Sequence, residues 1–211
     1  MPLFCSENIN GQCVWGLWQI TEGLPELYAQ LCPNEHDNAY FLGISHDERQ
    51  RQTVASRVLV QMLLAQWGDA YGGIVKDRTG TPLLAGQEHY VSVSHTEGFA
   101  AAMLHRVRPA GIDIEPVRDK MTRVVGRVLS ADEWTASGQQ PEKLCVYWCA
   151  KEAVYKCHSG QHLSLRDHIH IRDFDLAENG TLFGTVSNGT APQSCTIHYH
   201  KIRNFIVAYT F

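Results

Sequence analysis

A chain of 211 residues is long enough to bury a sizeable core, as one large domain or two small ones. Hydrophobic residues make up 44% and charged residues 19%, an ordinary globular balance, and the net charge of −4 comes without a basic block, which excludes a nucleic-acid footprint. The densest apolar run, Phe99 to Leu104, is far too short for a membrane span, the opening "MPLFCSENINGQ" lacks a signal-peptide pattern, and the seven cysteines form no C-x-x-C pair, so a cytoplasmic setting without membrane or disulfide framework is expected.

In chain order, the first predicted strand runs from Val14 to Ile20 and is followed by a short helix near Leu24–Cys32. "SHDE", Ser45 to Glu48, reads as a capping box. Behind it Val54, Val58, Leu59, Met62 and Leu63 recur at helical spacing as far as Trp67-Gly68, where Gly68 provides a stop. Strands are expected at Ile74–Lys76, Tyr90–Ser94 and Phe99–His105, with "RTGTP" turning between the first two. "AGIDIEP", from Ala110, forms the next strand. A helix over Met121–Leu129, another opened by "SADE" (Ser130 to Glu133) and a long one over Glu142–His158 follow. Strands at His168–Arg172, Leu182–Val186, Cys195–His200 and Phe205–Phe211 close the chain. Helices followed by strands, twice over, predict an α+β fold of two similar halves, residues 1–105 and 106–211, joined without a linker as one compact unit. An echo between "GFAAAML" and "NFIVAYTF" points to internal duplication.

The chemistry concentrates in three places. In "GIDIE", strand alternation puts Asp113 and Glu115 on one face and Ile112 and Ile114 on the other. Two like charges side by side repel, so this is either a solvated edge strand or a divalent-metal site with oxygen ligands. In "WCAKEAVYK", Trp148, Glu152 and Lys156 lie four apart along one helix face, with Lys151 and Tyr155 beside them. A surface Glu–Lys pair would be unremarked there, but the helix is otherwise apolar and aromatic, so the charges need partners. In "VSVSHTEGF", Ser94 and His95 end a strand and enter a turn closed by Gly98, a rigid support for functional side chains. Glu133 is open between a helix cap and a functional carboxylate.

The ordered set "SVSHT", "GIDIE", "LSADEW" and "WCAKEAVYK" resembles the 4′-phosphopantetheinyl transferases, in particular the longer, monomeric, two-halves type that modifies carrier proteins. The resemblance implies two pseudo-symmetric α+β halves with the active site in the cleft between them. It implies transfer of the 4′-phosphopantetheine arm of coenzyme A to a serine hydroxyl of an apo acyl- or peptidyl-carrier protein, with release of adenosine 3′,5′-bisphosphate, as in a holo-acyl-carrier-protein synthase. Onto matching positions it carries magnesium ligation by Asp113, Glu115 and Glu152, and phosphate binding by Lys156 and His95 with Ser94 beside them. Arg49, Arg51 or Arg57 would reach the 3′-phosphoadenosine end, and Glu133 matches an acidic position of less defined role. Glu152, or else a neutral Lys156, would take the serine proton. One departure stands out: the family's G-K-P turn reads Gly80-Thr81-Pro82 here, which leaves either Lys76 or Arg78 to supply the charge or a lower affinity for coenzyme A.

Two other readings remain open on the residues. The same carboxylates would serve a metal-dependent phosphohydrolase that transfers to water. His158, His162, His168, His170, His198 and His200 invite a His-rich metal-binding module, although the last four alternate on strands as a solvated face would.

Overall fold

The computed structural model describes all residues except Met1, Cys32, Lys120 and Thr190. The chain divides into two compact units, Met1–Ala110 and Gly111–Phe211. Each combines helices with one antiparallel sheet, the α+β class expected.

The N-terminal unit opens with a hairpin of β1 (Leu3–Ile9) and β2 (Cys13–Gln19). Asn10 and Gly11 both take positive φ at its turn, the conformation an Asn-Gly pair adopts at least cost. Three helices follow: α1 (Leu24–Gln30), α2 (Glu35–Leu42) and α3 (Asp47–Ala65). Cys32, where the first was expected to end, lies outside the described residues. The unit finishes with β3 (Ile74–Lys76), β4 (Pro82–Leu84), β5 (Tyr90–Thr96) and β6 (Phe99–His105), in the sheet order β1-β2-β6-β5-β4-β3. Its core forms where Val54, Val58, Leu59 and Leu63 of α3 cluster with Ala100, Ala102 and Leu104 of β6. The small alanine side chains let the helix approach the sheet closely.

The capping box expected at Ser45 does not form. His46 is the N-cap of α3, without a side-chain hydrogen bond, and Glu48 turns instead to Arg51 and Gln52 on its own helix. β1, α2 and β4 were not expected from the sequence. α2 is polar in its first half, Glu35 to Asn38, and sets Phe41 into the core; Asn34 caps it, and buried Asp37 holds Arg57 Nε at 2.7 Å and Tyr71 Oη at 2.8 Å.

The C-terminal unit comprises β7 (Gly111–Pro116), α4 (Met121–Val125), α5 (Ala131–Ala136), α6 (Pro141–Cys157), β8 (Ile169–Ile171), β9 (Asn179–Val186), β10 (Gln193–Ile202) and β11 (Phe205–Thr210). α4 stops at Val125, short of the expected Leu129. The sheet runs β7-β11-β10-β9-β8, with α6 packed across β7 and β11. Leu144, Val146, Ala150 and Val154 of α6 share a buried cluster with Ile197, Ile206 and Ala208 of the sheet.

Gly111 sets how closely β7 lies on α6. A Cβ at that position would overlap the carbonyl oxygen of Ala153, so any other residue would push strand and helix apart. This close approach brings the carboxylates of "GIDIE" to the charged residues of "WCAKEAVYK".

Candidate active site

The register of β7 against β11 decides where the two carboxylates point. Asp113 pairs with Ala208 and Glu115 with Ile206, and both partners belong to the cluster that faces α6. Alternation therefore aims Asp113 and Glu115 at the helix and turns the fully buried Ile112 and Ile114 the other way. The solvated-edge alternative fails on this point, because Asp113 is only 4% exposed.

Lys156, in the last turn of α6, meets the strand. Its Nζ lies 2.8 Å from Asp113 Oδ1 and donates to the Ile112 carbonyl at 3.0 Å. The repulsion between neighbouring carboxylates is thus relieved in part by an ammonium. Relief is incomplete for the other two acids. Burial, with the charges of Asp113 and Glu152, pushes Glu115 up to about 7 against the opposing pull of Lys156 and Arg118. Burial and Asp113 also raise Glu152.

The donor chemistry suits a hard divalent cation: three neighbouring carboxylates, of which Glu115 and Glu152 are pushed towards the protonated form, a condition that a metal's charge reverses. As they stand they are not drawn into a cage, and among the described residues no group of three or more His, Cys, Asp and Glu side chains is placed to hold a metal ion. Among the described residues the histidines form no such group either. His168 Nδ1 accepts from the Ser164 amide at 2.8 Å, His158 Nδ1 lies 3.0 Å from the Val154 carbonyl, and His200 stacks on Tyr209 with ring centres 5.9 Å apart. His198 and His200 are half-buried, not on the solvated face expected for them.

The crowding has a measurable consequence. Glu115 has a folded-state value above its ordinary 4.5, so its contribution to stability is fully present below about 4.5 and is lost as pH rises through about 7. Glu115→Gln removes that loss. With a chelator at pH 8, the variant is expected to melt higher than the parent by about 2–5 °C, allowing for the residue's partial exposure. At pH 4.5 the difference should vanish. A lower melting temperature at pH 8 would show that the carboxylate is not crowded.

Glu133 has a definite place. It closes the capping box of α5 with Ser130, accepts the Ile171 amide at 2.8 Å and pairs with Lys151 Nζ at 2.7 Å. Lys151 is fully buried and also donates to the carbonyls of Val128, Leu165 and Ile169 at 2.7–3.1 Å. Together the pair satisfies backbone groups on the edge strand β8 and fastens it to α5 and α6. The sequence marks Lys151 only as a neighbour on the helix and misses its role: its partners, Glu133 apart, are carbonyls distant in the chain, and no local pattern announces them.

In the N-terminal unit, Ser94 and His95 lie half-buried near the end of β5, where Glu97 and Gly98 (φ +82°) turn the chain into β6. His95 Nδ1 is 3.0 Å from Gln52 Oε1. The three arginines differ sharply. Arg57 lies in the core, its Nε on Asp37 and its guanidinium 4.8 Å from the centre of the Tyr40 ring. Arg51 is paired with Glu48 at 2.7 Å. Arg49 is exposed, and lines a cavity of about 430 Å³ with Tyr40, Gly43, Ser45 and His46. Lys76 Nζ stands 5.2 Å from the centre of the Tyr40 ring, while Thr81 is tied into a turn centred on Asp77.

Residues 109–210 match the family model of the 4′-phosphopantetheinyl transferase superfamily, and residues 38–105 match that of the 4′-phosphopantetheinyl transferase N-terminal domain. No curated protein gives a match to this chain. None of its described helices is long and apolar enough to cross a membrane. Both matches fall on the segments that carry β5 with His95 and β7 with α6, and on their strength the chain belongs to the 4′-phosphopantetheinyl transferases of the longer type.

Proposed function

We propose that this transferase moves phosphopantetheine from coenzyme A to a serine of an apo acyl- or peptidyl-carrier protein, with magnesium, and releases adenosine 3′,5′-bisphosphate. The observation that carries this reading is the meeting of Asp113, Glu115, Glu152 and Lys156 between β7 and α6, in a chain of this family. Asp113, Glu115 and Glu152 are the residues that would hold the metal, which when bound supplies Lewis-acid neutralisation of pyrophosphate oxygens.

The chain's own groups do the rest. Lys156 and His95 present positive donors where charge develops on the leaving phosphate, with Ser94 beside His95. Glu152 takes the proton of the attacking serine hydroxyl, a role that its raised value suits better than an ordinary carboxylate's. Lys156 is the second candidate for that proton. The serine oxygen bonds to the pantetheine-side phosphorus, and the bond to the bridging oxygen breaks towards the adenosine bisphosphate.

For the 3′-phosphate we assign Arg49, because among the described residues no ion pair holds it and it lines an open cavity. Arg57 is committed to Asp37 and serves α2. Lys76, over the ring of Tyr40, itself a lining residue of that cavity, supplies the charge that Thr81 lacks. Arg49→Ala is expected to raise KM for coenzyme A about tenfold or more, with kcat nearly unchanged. A similar rise with 3′-dephospho-coenzyme A as substrate would detach Arg49 from the 3′-phosphate.

The proposal is tested by following nucleotide release from coenzyme A with and without an apo carrier protein. Release that requires the carrier supports transfer to serine. Equal release in its absence would instead indicate hydrolysis, the phosphohydrolase reading.

A further inference from the structure

We infer that Gln52 is a positioning residue for His95, fixing which ring nitrogen carries a hydrogen and which is left for the phosphate. The inference rests on the reading that His95 holds a phosphate of coenzyme A.

A glutamine amide can offer either its oxygen or its nitrogen to an imidazole, and Glu48 makes the choice. Glu48 lies one turn earlier on α3, with Oε1 3.0 Å from Gln52 Nε2, and a carboxylate oxygen there accepts a hydrogen bond. The amide nitrogen therefore points to Glu48 and the oxygen to His95 Nδ1, 3.0 Å away. Arg51 Nη2 grips Glu48 Oε2 at 2.7 Å and holds the relay in place from its far end.

An amide oxygen only accepts, so Nδ1 carries a hydrogen in the neutral ring as well as in the imidazolium. Nε2 is then the nitrogen that gains or loses the proton. Protonated, it donates to a phosphate oxygen, and the Nδ1 bond stops the ring from flipping. The residues of the relay lie at helical spacing on one face of α3, and His95 sits on a paired strand, so the support is rigid.

The test is 15N NMR of the free enzyme with ring-labelled histidine, the His95 signals being assigned by their loss in His95→Ala. At a pH where the ring is neutral, the parent should show a protonated Nδ1 and an unprotonated Nε2. Gln52→Ala should move His95 towards the other tautomer, and Gln52→Glu, which keeps an acceptor, should retain the Nδ1–H form. Should Gln52→Ala fail to fold, Glu48→Ala frees the amide and should produce the same shift. Coenzyme A affinity, measured by calorimetry, should fall about tenfold in Gln52→Ala and be restored at least in part in Gln52→Glu. A parent ring protonated at Nε2, or signals unchanged in Gln52→Ala, would overturn the inference. Unchanged affinity in His95→Ala overturns the phosphate reading instead, and with it the statement of which nitrogen faces the ligand.

Discussion

Asp113→Ala is expected to lower phosphopantetheine transfer by about 100-fold or more and to leave a folded protein. The magnitude follows from the ligand role proposed for Asp113, since loss of a group merely supporting a ligand already costs about 10–100-fold. Asp113 combines three features that its neighbours have only in part. It is buried, it faces α6 on a strand held close by Gly111, and it contacts Lys156 directly. Removing it takes one carboxylate from the proposed metal set and one partner from Lys156. Folding should survive, because Ile112 and Ile114 on the opposite face of β7 and the pairing with β11 are untouched. Turnover is measured with saturating coenzyme A and magnesium, and the fold by circular dichroism. Activity within tenfold of the parent would remove Asp113 from the metal site.

The second large effect is on stability. Glu133→Ala is expected to cost about 3–5 kcal/mol, the range for breaking a buried ion pair on one side. The variant leaves the Lys151 ammonium, fully buried, without its counter-charge, and strips an acceptor from the amides of Ser130 and Ile171. Burial already pulls Lys151 below its ordinary value against the opposing effect of Glu133, so without that partner the amine tends to fold neutral. Lys151→Met should also destabilise, because Glu133 is then buried alone. The double variant Glu133→Ala/Lys151→Met should lose less than the sum of the singles. Chemical denaturation of the four proteins gives the cycle, and strict additivity would show that the pair does not act as a unit.

How far the sequence could be read is clearest in the two Ser-x-x-Glu patterns. At Ser130 the pattern formed the capping box it announced. At Ser45 it did not, because Glu48 has Arg51 and Gln52 within reach on the same helix and goes to them. Identical local signals were settled by side chains that the pattern does not include. Strand alternation in "GIDIE" and helical spacing in "WCAKEAVYK" were legible because each lies on a regular element. The closeness of those elements was not, since it depends on what a side chain at position 111 would strike. β1 was missed because "LFCSENI" is an outer strand without alternation, although Asn10-Gly11 marks its turn. α2 has too little apolar periodicity to be read as a helix, and owes its place to Asp37, Arg57 and Tyr71. The arginines show the same limit: spacing treats Arg49 and Arg57 alike, and only packing separates the exposed one from the one in the core.

The carboxylates between β7 and α6 are proposed to support magnesium-dependent transfer to a carrier serine. The most direct measurement is intact-mass spectrometry of an apo carrier protein incubated with the enzyme, coenzyme A and magnesium, in parallel with a chelator and with Asp113→Ala. A mass gain of one phosphopantetheine arm that disappears in both parallels is the expected result. The same gain with chelator present and with Asp113→Ala would contradict it.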